Sequence, residues 1–157
     1  MENKKDSPGV YTPPPLVYAI TFIMALVMQK RFPIDDSLFH RQWTKMLGGL
    51  LLVTALFFLA RSLGQFFQSK NTVVSIKPAT SLQTTGIYGM TRNPMYLGLA
   101  IVFLGITCFI GNWWNIILFP LLLLIVQEYI IKREEKYLQR RFEQEYLDYK
   151  SKVRRWL

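Results

Sequence analysis

The stretch PMYLGLAIVFLGITCFIGNWWNIILFPLLLLIVQEYII, residues 94–131, decides the fold of this chain. Its single charged residue is Glu128, and its apolar residues form continuous runs, whereas a helix of a soluble protein keeps one wet face. Residues 111–112, Gly-Asn, interrupt the runs as a tight turn, and two tryptophans follow, a residue type that membrane interfaces favour. We therefore predict that residues 94–131 form a hairpin of two transmembrane helices.

Two further apolar stretches precede the hairpin and give residues 16–63 two more predicted spans. The first runs from about Leu16 to Gln29 and the second from about Met46 to Leu63. The first is short against the roughly 20 residues that a bilayer needs, but no small-residue cleavage site follows it, which argues against a signal peptide. The predicted fold is an all-α integral membrane protein with about four transmembrane helices and a C-terminal amphipathic helix.

The segments outside the spans complete a single-domain organisation. Residues 1–15 are a polar N-terminal segment, residues 64–93 a polar loop rich in Ser, Thr, Gln and Gly, and residues 132–157 a charged tail. Spacings of three and four residues put one set of the tail's side chains on a single helical stripe: Leu138, Phe142, Tyr146, Tyr149, Val153 and Trp156. The opposite face carries Arg140, Gln144, Ser151 and Arg154. The tail therefore reads as an amphipathic helix that lies on the membrane or folds over the hairpin.

The basic residues indicate how the spans are oriented. The net charge is +9 at pH 7, and the Lys and Arg residues lie beside the apolar spans, which favours a membrane-topology role over nucleic-acid binding. With four spans, the N-terminal segment, the 64–93 loop and the tail share one side and, with Arg61 just before the loop, hold fifteen Lys and Arg, against four on the other side. We predict that both termini are cytoplasmic and that no nucleic acid is a partner.

Single residues of two reactive types limit the chemistry. Cys108 is the one cysteine and lies within an apolar run, where packing explains it, so no internal disulfide is expected. His40 is the one histidine and lies in a charged loop. We expect no metal site and no Ser-His-Asp triad. Gly48 and Gly49 are expected to let another helix approach closely, and such glycine faces could also support a homodimer.

Arg92 is the first sign of a ligand site. Asn93 and Pro94 make a good helix start, as N-cap and first helical residue. A cation just before a helix N-terminus opposes the helix dipole unless an anion binds there, where N–H groups and a guanidinium converge on it. Arg92 therefore predicts a site for a phosphate, a lipid head group or a carboxylate. The alternative is a basic residue that only sets topology.

Acidic and aromatic residues face the same end of the predicted hairpin. Glu134 and Glu135 follow the fourth span directly, and Glu128 lies about two turns earlier, where an ionised acid must be interfacial or buried in protein. They are either a solvated helix face or a cation site. Aromatic tail residues such as Tyr146 and Tyr149 attract cations as well. Together with the anion site, they match a zwitterionic, positively charged ligand.

The residues from about Lys77 to Leu157 resemble the isoprenylcysteine carboxyl methyltransferase family and the related phospholipid methyltransferases. That family has a Gly-x-Tyr segment, Arg-His-Pro-x-Tyr-x-Gly, a helical hairpin, Glu-Glu-x-x-Leu, and an aromatic tail ending in Val-x-Arg-Trp. This chain has these elements in the same order: Gly86 to Tyr88, Arg92 to Gly98, Glu134 to Leu138, and Phe142 to Trp156. Asn93 stands where the family has histidine.

The resemblance implies S-adenosylmethionine-dependent methyl transfer to a lipophilic or membrane-delivered acceptor. It places the cofactor beside Tyr88, Arg92, Asn93, Tyr96, Glu134 and Glu135. Asn93 can form hydrogen bonds but cannot take a proton, so only a binding role carries over to it. Arg92, Glu135 and Glu128 are the catalytic candidates, the two acids as bases if the acceptor is an amine.

The methyl acceptor and two other functions stay open on the sequence alone. Prenylated cysteine, phospholipid amines, small thiols and isoprenoid acids all suit a membrane site. One rival function is an NADPH-dependent membrane reductase related to sterol reductases, although such proteins are longer. The other is a small membrane scaffold, in which Arg92 and the two glutamates are only topology charges.

Overall fold

A computed structural model of the chain describes residues 9–10, 12–68 and 81–157. Every regular element of these residues is helical, which confirms the all-α prediction for them. The elements are α1 (Pro14–Arg31), α2 (Gln42–Gln68), α3 (Pro94–Ile110), α4 (Trp113–Ile125) and α5 (Lys132–Lys152), with a π-helical turn (Val126–Ile131) between α4 and α5 and 3-10 turns at Ser37–His40 and Gly86–Gly89. The predictions for residues 1–8, 11 and 69–80, in the N-terminal segment and the loop, lie outside the described residues.

In the described part of the chain, two helical stretches are long and apolar enough to cross a membrane: Gln42–Gln68, and Trp113–Lys152, which runs through α4, the π turn and α5. The shorter helix α3 is apolar as well. On α2 the outward side chains are large and apolar, with Met46, Leu50 and Val53 each more than three-fifths exposed. Water would disfavour such a surface, whereas lipid tails would not. These features suit an integral membrane protein.

Helix α2 packs along α3 through glycines on both helices. A methyl group added at Gly48 would lie 2.9 Å from Cys108 Cβ and 3.1 Å from the carbonyl oxygen of Gly105. Gly98 and Gly105 meet α2 equally closely, at Leu59 and Leu52. The prediction of a close approach is therefore confirmed at Gly48. It is wrong for Gly49, whose Cα faces open space because it lies one residue round the helix from the contact.

The α3–α4 hairpin turns where the sequence predicts it. Gly111 ends α3 in the left-handed conformation, with φ 73°, and its N–H bonds Thr107 O at 2.9 Å. Asn112 then caps α4, because its side chain accepts from the N–H of Trp114 at 2.8 Å. The indole N–H groups of Trp113 and Trp114 donate to carbonyls of the α1–α2 connection, at Asp35 and Phe32. The two tryptophans therefore tie the turn to the end of α1.

The π turn at Val126–Ile131 sets which side of α5 faces the molecule. An α-helix advances 100° per residue, and an i→i+5 turn takes in one residue more, so it rotates the following residues by about 100°. Beyond the turn, Glu135 and Tyr137 are buried. These two side chains of α5 therefore face the rest of the molecule.

The tail itself confirms most of the predicted amphipathic pattern. Tyr146 and Tyr149 are buried, the other four stripe residues are partly buried, and the four residues of the opposite face are exposed. Two details differ from a continuous helix. Glu143 has φ 42° and kinks α5, and the helix ends at Lys152. Residues 153–157 leave the helix as a non-helical segment, which we call the C-terminal strap.

Candidate functional site

The segment before α3 is held in place by neighbouring elements. Gly86 has φ 60°, and a Cβ there would lie 2.9 Å from Gln65 Oε1 of α2. The 3-10 turn that follows buries Tyr88, whose ring lies 5.8 Å from that of Phe66 on α2. The hydroxyl of Tyr149 donates to the carbonyl of Tyr88 at 2.6 Å. This segment is therefore fixed between α2 and the tail.

The C-terminal strap lies across residues 91–93. The N–H of Arg92 donates to the carbonyl of Arg154 at 3.0 Å. The carbonyl of Arg155 accepts two bonds, from Thr91 Oγ1 at 3.1 Å and from Asn93 Nδ2 at 2.9 Å. These contacts join residues more than sixty positions apart in the chain, so the end of the protein is part of the site.

Asn93 occupies the predicted N-cap position of α3, and Pro94 is its first residue. The expected capping bond is absent: the Asn93 side chain makes no cap hydrogen bond. Its amide nitrogen donates to Arg155 instead, which turns the side chain away from the helix N–H groups. The prediction of a capping side chain is therefore wrong, and Asn93 is a tertiary contact.

Glu135 contacts two arginines, Arg155 of the strap and Arg92 of the segment before α3. Arg155 binds it with two bonds, Nε to Oε1 at 3.0 Å and NH2 to Oε2 at 2.7 Å. Arg92 NH2 lies 3.4 Å from Oε1 of the same carboxylate. The bond to Glu135 raises the pKa of Arg155 above its ordinary value, because it stabilises the charged guanidinium. We call Arg92, Glu135 and Arg155, with Thr91 and Asn93, the Glu135 cluster.

Arg92 is only partly satisfied within this cluster. Its side chain is 9% exposed, yet Nε and NH1 are buried and have no hydrogen-bond partner among the described residues. A buried, unpaired N–H of a guanidinium costs more than an unpaired neutral donor, because the charge is desolvated as well. Two buried donors are thus available to an acceptor that the described residues do not supply.

Tyr96 and Glu134 form a second contact beside the cluster. The Tyr96 hydroxyl donates to Glu134 Oε1 at 2.7 Å, and the backbone carbonyl of Tyr96 accepts from the hydroxyl of Tyr18 on α1 at 3.2 Å. Tyr96 therefore connects α1, α3 and α5. This link brings the N-terminal half of the chain, which carries no motif, to the same end of the hairpin.

The aromatic tail residues lie against the Glu135 cluster. The rings of Tyr146 and Tyr149 are 6.2 Å apart and nearly perpendicular. The pKa of Tyr146 is raised to about 12, chiefly by burial and secondly by the nearby Glu135 carboxylate, while Arg92 acts in the opposite direction. Burial also raises the pKa of Tyr149. Both phenols therefore stay neutral at physiological pH.

Of the residues singled out from the sequence, the structure brings Arg92, Asn93 and Glu135 together, with Tyr88, Tyr96 and Glu134 at the same end of the hairpin. Glu128 lies apart: it is exposed, and its carboxylate accepts from Lys132 at 2.6 Å. Sequence reasoning missed Arg155 and Thr91. The family's aromatic tail ends in an Arg-Trp pair, which includes Arg155. The spacing of that motif does not show which residue Arg155 binds.

Comparison with known proteins gives three findings. The family model for phospholipid methyltransferases matches residues 43–145 of this chain. A protein-S-isoprenylcysteine O-methyltransferase of Schizosaccharomyces pombe is 33% identical over 127 residues, which is 78% of this chain and 53% of that protein. An uncharacterized protein of Haemophilus influenzae is 44% identical over 66 residues, which is 40% of this chain and the whole of that protein. No solved structure matches the chain.

Proposed function

This chain belongs to the phospholipid methyltransferase family, and from that premise we propose that it transfers a methyl group from S-adenosylmethionine to a lipophilic acceptor that reaches the site from the membrane. The observation that carries the cofactor assignment is the Arg92 guanidinium, buried and with two nitrogens unpartnered among the described residues. An anionic group bound there would satisfy both donors in a low-dielectric site, where such bonds are strong. The carboxylate of the cofactor's methionine part has that charge and geometry.

The charges around Arg92 also fit the rest of the cofactor. S-adenosylmethionine carries a carboxylate, an ammonium and a sulfonium, so a site for it needs both signs of charge. Glu134 accepts from the Tyr96 hydroxyl, so a negative charge lies next to that hydroxyl. The buried rings of Tyr88, Tyr96 and Tyr146 are aromatic surfaces of the kind that attract cations. The residues present therefore suit this cofactor.

When bound, S-adenosylmethionine supplies an electrophilic methyl group: the acceptor's lone pair forms the new bond as the carbon–sulfur bond breaks, and S-adenosylhomocysteine leaves as a neutral thioether. The chain's own residues bind, orient and exclude water. Arg92 and Asn93 would hold the amino-acid end, and Tyr88 and Tyr96 would shield the site from solvent. In-line displacement depends on such positioning more than on proton transfer.

The arrangement of the acids supports an acceptor that has no proton to lose. Both oxygens of Glu135 are occupied by guanidinium groups, and Glu128 is exposed and bonded to Lys132. Neither is placed as a free base, so a carboxylate or thiolate acceptor is favoured over an amine. The name of the fission-yeast relative, an O-methyltransferase of isoprenylcysteine, points the same way. We propose a lipid-linked carboxylate as the acceptor class.

We also propose that the chain crosses the membrane four times with both termini in the cytoplasm. The distribution of Lys and Arg supports this topology, as does the position of Trp113 and Trp114 at the opposite end of the hairpin from Glu135. Replacing Cys108 with serine gives a cysteine-free background. A single cysteine at Ser37 should then react with a membrane-impermeant maleimide only from outside, and one at Gln144 only from the cytoplasmic side. Labelling of both from one side would refute the topology.

Calorimetric titration of the detergent-purified protein with S-adenosylhomocysteine tests the cofactor assignment. We expect saturable binding that Arg92→Ala removes and that Arg140→Ala, which deletes an exposed arginine of α5, leaves unchanged. Arg92→Lys should recover little, because an ammonium cannot replace two directed guanidinium donors. No binding by the folded wild-type protein would overturn the proposal. Binding of NADPH instead would indicate a reductase, and binding of neither would indicate a scaffold.

A further inference from the structure

The C-terminal strap, residues 153–157, contacts every polar member of the Glu135 cluster. Its backbone carbonyls accept from Arg92, Thr91 and Asn93, and its Arg155 side chain binds Glu135. Trp156 anchors the strap further along, since its indole N–H donates to Gln127 Oε1 on the π turn at 3.1 Å. We propose that Arg155 is a positioning residue of the cofactor site, an inference that rests on the proposed function.

The geometry shows what Arg155 does for Glu135. A carboxylate that contacted only Arg92 would accept two parallel N–H bonds from the guanidinium, one at each oxygen, because this is the strongest pairing of the two groups. Here Arg155 holds that position, with bonds of 2.7 and 3.0 Å, and leaves Arg92 one contact with the carboxylate, at 3.4 Å. The competition between the two arginines is thus resolved in favour of Arg155.

This competition explains why Arg92 keeps two buried donors unused. Because Arg155 takes both oxygens of Glu135, Arg92 keeps one longer contact with that carboxylate, and its buried Nε and NH1 have no partner among the described residues. An anion then gains the full benefit of Arg92. Without Arg155, Glu135 would turn both oxygens toward Arg92 and compete with the anion for the N–H groups of Arg92. Arg155 therefore acts on the ligand through Glu135 and Arg92, without touching the ligand.

Two ligands, one with and one without the amino-acid end, distinguish this positioning role from a purely structural one. S-adenosylhomocysteine has the amino-acid end that Arg92 would bind, and 5′-methylthioadenosine lacks it. In calorimetric titrations, Arg155→Ala should weaken binding of S-adenosylhomocysteine about tenfold or more, the scale of one lost charge-assisted contact. The same variant should bind 5′-methylthioadenosine as the wild-type protein does.

Neighbouring substitutions provide the controls. Arg154→Ala removes the same charge from the adjacent residue, whose side chain is exposed and has no recorded ion pair among the described residues, and it should bind both ligands normally. Arg155→Lys should lie between Ala and wild type, since a lysine keeps the charge and loses the fork. The melting temperatures of Arg154→Ala and Arg155→Ala show whether both variants are folded.

Two results would overturn the role of Arg155. In one, Arg155→Ala and Arg154→Ala bind S-adenosylhomocysteine equally well. In the other, Arg155→Ala loses affinity for both ligands to the same extent, as expected if the strap is only structural. Failure of the wild-type protein to bind either ligand is a different result, because it refutes the cofactor assignment itself and this inference with it.

Discussion

The α2–α3 interface and the Glu135 cluster are both closed by short contacts, but different forces hold them. Between α2 and α3, glycines bring backbones together, and van der Waals packing is the main attraction. At the Glu135 cluster, buried charges and carbonyls meet in directed hydrogen bonds. The α2–α3 interface depends on the lack of side-chain atoms at its glycines, whereas the Glu135 cluster depends on particular donor and acceptor atoms. The two should therefore respond to opposite kinds of substitution.

The largest effect is expected from deleting the carboxylate of the cluster. Glu135→Ala leaves Arg92 and Arg155 facing each other in a buried place with no counter-charge. Breaking such a group by removing one partner costs about 3 kcal/mol of stability. Chemical denaturation in detergent measures the loss. Glu145→Ala, which removes an exposed acid from the same helix, is the matched control and should change little. Equal effects of the two variants would show that Glu135 is not the centre of the cluster.

The next effect sharpens the contrast at the α2–α3 interface, where adding one methyl group should be harmful. In Gly48→Ala the new Cβ would meet Cys108 Cβ at 2.9 Å and a backbone oxygen at 3.1 Å, so the helices must separate. Overpacking of this kind costs about 1–3 kcal/mol. Gly49→Ala is the control on the same helix: it faces open space and should be neutral or stabilise by about 0.5 kcal/mol. Similar melting temperatures for the two variants would contradict the packing described.

A smaller effect compares two buried threonines, one in the Glu135 cluster and one bonded only within helix α3. Thr91→Val loses the bond to the Arg155 carbonyl and should cost about 1 kcal/mol. Thr107→Val loses only a bond to the carbonyl of Phe103, four residues back in its own helix, and should be close to neutral. Both threonines are fully buried, so burial itself does not differ. A larger loss for Thr107→Val than for Thr91→Val would contradict the assigned role of the bond between Thr91 and the strap.

The last effect is absent at physiological pH and appears only at high pH. Burial raises the pKa of Tyr146 to about 12, above the ordinary value of 10. The phenol holds its proton more tightly in the folded than in the unfolded protein. Its contribution to the free energy of unfolding is therefore complete below pH 10 and is lost as the pH rises toward 12. The wild-type protein should therefore lose stability between pH 10 and 12 more steeply than Tyr146→Phe, while the two show parallel behaviour from pH 7 to 9. Identical slopes up to pH 12 would place the Tyr146 hydroxyl in contact with solvent.

The sequence predicted the helical hairpin well because its signals are local. Unbroken apolar runs, a Gly-Asn turn and two tryptophans each act within a few residues, and the structure places α3, the turn and α4 accordingly. Gly48 was also identified correctly, whereas Gly49 was not, because the contact face of α2 depends on how α3 is rotated against it. Local pattern gives the residues that allow close approach, and packing selects which of them are used.

The site shows the same division. Arg92, Asn93 and the two glutamates follow from charge, a helix start and family motifs, and Arg92 and Glu135 do meet. The sequence did not predict the partner of Glu135, because Arg155 is twenty residues further along the chain and lies beyond the end of α5. The side-chain role of Asn93 was wrong for the same reason: its nearest acceptor comes from the strap, not from its own helix.

By itself the sequence determined that this chain is helical and apolar enough for a membrane, where its hairpin turns, and which residues carry family motifs, because hydrophobicity, turn chemistry and motif order act locally along the chain. Only the tertiary structure decided which charges pair. Glu135 is buried on α5, and the strap brings Arg155 to it and to residues 91–93. Contacts between residues twenty and more than sixty positions apart are produced by packing of the whole chain, and no local pattern encodes them.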